Sequence, residues 1–274
     1  MTATTATAPN TGRFFELPSF ADVARSEWHK FHTVRSTYWS LLAAVVVGLG
    51  LSALISLAAS NHYSKLSASD RAKWDPTSIS TSGFGLAQLA IGVLGILIIT
   101  SEFSTGQIQT SLAAVPKRHR VLAAKGVVYA VVAFVVGEIL GFVAFFVGQA
   151  IIHANAPSVT LGDHDVLRAV IGGGLYAAVL GLLAVAIGTI VRSAAAGIGI
   201  LVALLYVLPG IAAALPSNLE HSVEKFWPTQ AGGQLASVYR AAHTLSPWAG
   251  FAWMAIFTAV IFAVAVVALR NRDV

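Results

Sequence analysis

Cysteine is absent from the 274 residues of the sequence, which excludes disulfides and thiolate-bound metal. Charge is scarce as well: only 11% of the residues are Asp, Glu, Lys or Arg, whereas average usage is roughly 25%. The G-x-x-x-x-G-K-[ST] phosphate loop is missing, as are the H-E-x-x-H and G-x-S-x-G motifs of hydrolases. The eight histidines lie in loops or at the ends of apolar runs, which argues against an intramembrane hydrolase. We therefore expect neither a soluble domain nor an enzyme.

Apolar residues make up 56% of the chain, and they gather into runs long enough to cross a hydrocarbon core, about 20 residues each. These runs are 38–60, 79–100, 126–152, 169–191, 194–215 and 247–269. The sequence therefore predicts an all-α integral membrane protein with six transmembrane helices. An even number of spans places both termini on one side of the membrane.

Lysine and arginine indicate which side that is. With the amino terminus inside, the cytoplasmic segments hold eleven of the 17 basic residues and the opposite side holds six, as the positive-inside rule requires. We therefore expect both termini in the cytoplasm; the family resemblance described below implies a bacterial plasma membrane. The net charge of +5 is better explained by anionic lipid headgroups than by nucleic acid, and no nucleic-acid partner is predicted.

The first 37 residues precede the first span and divide in two. Residues 1–17 are rich in Thr and Ala without periodicity, which predicts a disordered cytoplasmic tail, so that 18–274 form the transmembrane domain. From Phe20, apolar residues recur at helical spacing beside Trp28, with basic residues elsewhere. This pattern predicts an amphipathic helix at the membrane surface. On residues alone it is equally consistent with a simple basic anchor.

Between the second and third spans lies a patterned segment, 101–125, which reads SEFSTGQIQTSLAAVPKRHRVLAAK. The second span is expected to end at Ser101 and Glu102. From Phe103, apolar residues at helical spacing predict one short amphipathic helix, which Pro116 ends because proline disfavours helix in the residue before it. Such a helix, connected at both ends to spans, either transmits force to the spans or is a connector that lies on lipid headgroups.

The segment resembles the one after the second span of ABC-2 type permeases, S-E-[FY]-x-x-G-[TQ]-I-x-x-[ST]-L-x-x-x-P-x-R-x-x-x-L-x-x-K. The matching residues are Glu102, Gly106, Ile108, Leu112, Pro116, Arg118, Leu122 and Lys125. Three further stretches are similar to the family: SEWHKFHTVRSTYWSLL near the start, FWPTQAGG before the sixth span, and LSPWAG with the final LRNRDV, the last of these particularly in actinobacterial members.

The resemblance implies one half of a transporter. Two permease chains, identical or close paralogues, would pair in the bilayer and dock two cytoplasmic ATPase subunits, which hold ATP and Mg²⁺; this chain itself would hold no cofactor and no metal. Segment 101–125 would be the coupling helix, and the amino-terminal helix would be the connecting helix. The implied ATPase-coupling residues are Glu102, Phe103, Gly106, Ile108, Leu112 and Arg118. The implied connecting-helix residues are Glu27, Trp28, Lys30 and Arg35.

Glu138 interrupts the apolar pattern near the middle of the third span, where a charged side chain costs about 2.5–3.5 kcal/mol on insertion scales. It is predicted to be a substrate-path or gating residue, or else a protonated acid hydrogen-bonded to a neighbouring helix. Gln88 and Gln149 are weaker candidates for the same path. Residues 162–165, Gly-Asp-His-Asp, are expected to cap the fourth span rather than to bind a metal.

The predicted function is export, driven by a partner's ATP hydrolysis, of a hydrophobic drug, peptide or lipid that enters sideways or from the inner leaflet. Two alternatives stay open. One is a secondary transporter in which Glu138 carries a proton, and the other is an ABC-type complex that serves sensing or immunity.

Overall fold

The computed structural model describes residues 19–33, 35–109, 118–240 and 243–271, with the side chains of 32–37 and 217–219 left aside. Every regular element in these ranges is helical, and none of them contains a strand. The helices used below are α1 (Phe20–Thr33), α2 (Arg35–His62), α3 (Ala68–Arg71), α4 (Pro76–Ser80), α5 (Phe84–Thr105), α6 (Arg118–Ile152), α7 (Val166–Val191), α8 (Ala194–Ala212), α9 (Ser217–Phe226), α10 (Pro228–Gly233) and α11 (Pro247–Asn271).

Six helices of the described chain are long and apolar enough to cross a membrane: α2, α5, α6, α7, α8 and α11. The prediction of an all-α integral membrane protein with six spans is thus confirmed. The second span is displaced, because Asp75 caps the separate helix α4 by accepting from the backbone N–H of Ser78. The spanning helix α5 then begins at Phe84 and continues to Thr105 rather than ending near Thr100.

Helix α7 occupies the centre of the bundle. In its most apolar window 72% of the residues are buried inside the protein, compared with 17% in α8 and 22% in α2 and α11. It packs against α5, α6 and α11. Small residues such as Gly181 allow α6 to approach closely, because a β-carbon on Gly181 would contact the ring of Tyr129 on α6. The peripheral helices therefore present most of their apolar surface outward.

The amphipathic helix α1 lies against the beginning of α6. Val23 packs with Val121 and Ala124, and the ring of Phe31 lies 6.3 Å from that of Tyr129. The predicted amino-terminal amphipathic helix is confirmed, and its apolar face is buried largely by protein. We call this end of the bundle the α1 end.

At the opposite end, α9 and α10 fill the connection between α8 and α11, and we call this the hairpin end. Helix α8 contains one π-helical turn, Ala203–Val207, just before Pro209. In a π turn the carbonyl of Leu204 would accept from residue 209, but proline has no N–H. The indole N–H of Trp227 donates to that carbonyl instead, at 2.8 Å, and Thr229 assists at 3.3 Å. These bonds attach α10 to the irregular part of α8.

Arg168 attaches α7 to the same region by donating to the carbonyls of Leu235, at 2.8 Å, and Ser237, at 3.0 Å. The predicted cap at residues 162–165 is wrong in detail. The Asp163 carboxylate accepts from the backbone of Thr160, and Asp165, at the cap position, contacts Arg168 and makes no side-chain cap bond. The aspartates therefore order the loop and orient the arginine.

Adjacent glycines on α7 provide a matched test of this docking. A β-carbon on Gly172 would lie 2.5 Å from the Leu235 carbonyl oxygen, whereas one on Gly173 would meet only the ring of Phe84, at 3.9 Å. Gly172→Ala is expected to destabilise the protein by about 1–3 kcal/mol, as overpacking does, and Gly173→Ala to be neutral or slightly stabilising. Thermal unfolding of both variants in detergent measures the difference, and equal midpoints would contradict the close approach.

Candidate functional site

Four charged side chains meet at the α1 end and form what we call the ion-pair cluster: Glu27 and Lys30 of α1, Glu102 of α5 and Lys125 of α6. The Lys125 ammonium lies 2.5 Å from the Glu27 carboxylate and 2.8 Å from that of Glu102. Lys30 lies 2.7 Å from Glu27 and 3.3 Å from Glu102. One cluster therefore joins the surface helix to two spans.

Burial makes these contacts strong. Glu27, Glu102 and Lys125 are each at most 5% exposed, while the Lys30 side chain is 43% exposed. Two carboxylates and two ammonium groups balance, so the buried charges compensate one another. One oxygen of Glu102, Oε2, is buried and has no hydrogen-bond partner among the described residues.

The neighbouring charges favour the ionised forms of the two cluster members on α1, Glu27 and Lys30. Burial opposes the charge of Glu27, but Lys125 and then Lys30 outweigh it and hold the pKa of Glu27 below its ordinary value. Burial likewise opposes the charge of Lys30, yet Glu27 and Glu102 raise its pKa. Glu27 therefore stabilises the fold above its unfolded pKa, and this contribution is lost as the pH falls through the lower folded value. The contribution of Lys30 is complete below its unfolded pKa and is lost as the pH rises through the higher folded value.

Beside the cluster is a cavity of about 500 Å³. Its lining combines the cluster with apolar side chains of α5, namely Leu94, Leu97 and Ile98, and with Phe31 and Tyr129. A space with a charged end and an apolar wall suits an amphiphilic molecule.

Among the predicted coupling residues, Phe103 and Gly106 lie at the end of α5. The guanidinium of Arg192, just beyond α7, lies 4.9 Å from the centre of the Phe103 ring. Gly106 has φ +72° and ends α5, and helical backbone resumes at 107–109. The single helix predicted from Phe103 is therefore wrong at its start, because a left-handed residue separates Phe103 from the next turn.

Ile108 and Arg118 contact the protein itself. Ile108 is 2% exposed, and Arg118 donates to the carbonyl of Leu269 at the end of α11, at 3.1 Å. Trp28 is exposed on α1. Leu112 lies outside the described residues, as does the side chain of Arg35, although α2 begins at that position.

The left-handed backbone at Gly106 leads to a prediction. A β-carbon there would meet nothing within 4 Å, so the effect of Gly106→Ala comes from the backbone alone, about 1–2 kcal/mol. We expect faster hydrogen exchange at 107–109 in this variant. Gly106→Asn should recover most of the protection, because asparagine tolerates this conformation. Gly199→Ala, at an equally open but regular helical glycine, is the control and should leave exchange at 107–109 unchanged.

Glu138 lies on α6 against the backbone of Gly174 on α7, where its carboxylate occupies the space that a side chain would need. Both carboxylate oxygens are buried and lack a hydrogen-bond partner within the described ranges. The predicted hydrogen bond to a neighbouring helix is therefore not formed. The prediction of a role in a substrate path stays a prediction.

The two glutamines differ in surroundings. Gln149 donates to the carbonyl of Pro76 at 2.9 Å and accepts from the backbone of Val159 at 2.9 Å, so it joins α4 to the loop after α6. Gln88 accepts from the Tyr176 hydroxyl at 2.9 Å and lines a second cavity of about 310 Å³ near the hairpin end.

Sequence reasoning identified Glu27 and Glu102 singly but did not pair them with Lys125, nor did it identify Tyr176. Lys125 was present in the family pattern, and its position inside an apolar run was the signal that it needs a buried counter-ion. The described residues hold no cluster of three or more His, Asp or Glu suited to a metal.

A family model described as ABC-2 family transporter protein matches residues 24–210, more than half of the chain and all of the ion-pair cluster. Comparison with curated proteins finds no match.

Proposed function

Because the chain belongs to the ABC-2 family of transporter proteins, we propose that it is the membrane subunit of an ATP-binding cassette exporter. The observation that carries the proposal is the ion-pair cluster, in which Lys125 of α6 contacts both Glu27 of α1 and Glu102 of α5. A force applied to the exposed side of α1 reaches two spans through buried, short contacts.

The partner would be a cytoplasmic ATPase subunit that binds ATP and Mg²⁺, with two copies in the complex. We place the α1 end in the cytoplasm, on the count of basic residues, and the protein in a bacterial plasma membrane. Trp28, exposed on α1, would contact the ATPase directly. Glu102 and Ile108, which are buried, would instead set the position of the helical turn at 107–109.

A second permease chain would cover the peripheral helices, as a homodimer or with a close paralogue. Two observations support this: only 17% of the apolar window of α8 is buried, and Gly199 and Gly210 on that helix would have free space around a β-carbon. Open glycines allow close approach of another helix. The cavity beside the ion-pair cluster would admit a hydrophobic or amphiphilic cargo from the inner leaflet.

Reconstitution tests the proposal. The chain, co-expressed with the ATPase of a neighbouring reading frame, should co-purify with it and support vanadate-sensitive, ATP-driven export from proteoliposomes. The double variant Glu102→Ala, Ile108→Ala should keep ATPase activity but lose export. Unchanged docking and export in that variant would show that these residues do not couple the two proteins.

One observation favours an alternative, a proton-coupled secondary transporter: the carboxylate of Glu138, in the middle of a span, has no hydrogen-bond partner among the residues that the structure describes. In that case transport would proceed without the ATPase, would stop when a protonophore collapses the gradient, and would be lost in Glu138→Gln. Export that needs ATP and ignores the protonophore would exclude it.

A further inference from the structure

The cavity near the hairpin end is separate from the ion-pair cluster and is assembled from six helices. Its wall is formed by α4, the first turns of α5 and α7, Gly141 of α6, Leu205 of α8, and α10 with the residues after it. At about 310 Å³ it lies at the lower end of the usual range for ligand pockets, roughly 300–1,000 Å³.

None of the described residues that line this cavity carries a charge. Asp75 accepts from Ser78 and from the backbone of Tyr239, and Arg168 donates to two carbonyls and to Asp165. The Glu138 carboxylate is buried against Gly174 and is not part of the lining. A charged ligand would lose its hydration here without gaining a counter-ion. The ligand is therefore uncharged.

Six of the residues that line the cavity carry hydroxyl groups, and each hydroxyl already donates its proton to a protein acceptor at 2.7 to 3.3 Å. These hydroxyls belong to Ser78, Thr81, Ser82, Tyr176, Thr229 and Ser237. None of the six accepts a hydrogen bond from another described residue, so their lone pairs are free. The wall is thus rich in acceptors.

Donors are fewer. The amide of Gln230 makes no hydrogen bond within the described ranges, and the Gln88 amide nitrogen reaches only the Tyr206 hydroxyl, at 3.5 Å. Peptide groups, each with a carbonyl that needs a donor, match this wall less well than hydroxyl groups do. The aromatic rings of Phe84 and Tyr176, whose centres are 6.0 Å apart, provide an apolar surface that suits the C–H face of a ligand ring.

We propose that this cavity is a binding site for an uncharged polyol of the size of a single sugar ring, whose hydroxyl groups donate to oxygens of this set. The site does not depend on the proposed ATPase coupling, and its test needs neither ATP nor a partner.

The test uses the full chain in lipid nanodiscs and saturation-transfer NMR with methyl glucopyranoside. Glucosamine and glucuronate serve as probes of similar size that carry a positive or a negative charge, and a dipeptide amide serves as the peptide probe. We expect saturable binding of the glycoside with a Kd near the millimolar range, and binding of both charged probes weaker by roughly tenfold, about 1.4 kcal/mol.

Two variants test whether the glycoside binds in this cavity. Gly173→Leu projects into the cavity from a position where a β-carbon has only an ordinary contact at 3.9 Å, and it should abolish binding while the thermal midpoint is retained. Gln88→Ala should weaken binding by roughly three- to tenfold, the effect of one lost hydrogen bond. Gln149→Ala is the control for loss of an amide, because Gln149 does not line the cavity.

Three results would overturn the proposal: a charged probe or the dipeptide amide that binds more tightly than the glycoside, glycoside binding that survives Gly173→Leu, or no saturation at about 100 mM, where a millimolar site would be full. ATP-driven export could fail while glycoside binding persists, and the reverse could also occur, so the two proposals fail separately.

Discussion

Replacing Lys125 with methionine is expected to release α1 from the bundle and to cost about 3–5 kcal/mol, the usual effect of removing one partner of a buried ion pair. Methionine keeps the length of the side chain, but Glu27 and Glu102, both nearly fully buried, would face each other without the ammonium that lies within 2.8 Å of each. Hydrogen exchange along α1, together with the thermal midpoint, measures the loss.

The chain offers two matched controls. Lys73→Met removes the same charge from an exposed loop near the opposite end of the bundle and should change stability little. Lys30→Met removes the half-exposed member of the cluster and should have a smaller effect than Lys125→Met. Adding Glu27→Gln and Glu102→Gln to Lys125→Met should restore part of the stability, because the uncompensated charges disappear. If Lys125→Met and Lys73→Met behaved alike, the cluster would contribute little to the docking of α1.

The second large effect concerns Glu138, for which we expect stability and activity to change in opposite directions. Glu138→Met removes two buried oxygens that have no hydrogen-bond partner among the described residues and fills the same space with an unbranched apolar side chain. The gain should be about 1–3 kcal/mol, the cost of an unsatisfied buried polar group. If Glu138 belongs to the substrate path, transport should fall in this more stable variant.

Gln149→Met on the same helix is the control. It deletes an amide that donates to Pro76 and Ser80 and accepts from Val159, so it should lower the thermal midpoint. A Glu138→Met protein that is both less stable and inactive would indicate a structural role for the carboxylate. A more stable protein with unchanged transport would show that the carboxylate is dispensable.

Much of the fold was predictable because hydrophobic length and helical spacing are local properties. The six spans are of this kind, and so is the apolar face of α1, where Val23 and Phe31 are buried as their spacing predicted. The start of α5 was predicted too early, because hydropathy does not record that Asp75 and Pro76 begin a separate short helix.

The site was only partly predictable, because it depends on contacts between distant parts of the chain. Glu27 and Lys125 are 98 residues apart, and no periodicity relates them. The same holds for Gln149, whose partners lie in α4 and in the loop after α6, and for Tyr176, which reaches Gln88 on another span. Gly106 was part of the family pattern, but its role as a left-handed break became clear only with the backbone angle.

The π turn of α8 constrains how the hairpin end can move. The Leu204 carbonyl is held by Trp227 and Thr229, and Pro209 offers it no N–H in exchange. If α10 swung away by itself, a carbonyl at membrane depth would be left without a donor, which costs several kcal/mol in a bilayer. The lower-energy motion carries α10 and the bulged part of α8 as one rigid unit, so an opening at this end would pivot in α8 on the amino-terminal side of Ala203 and not in the loop between α8 and α9.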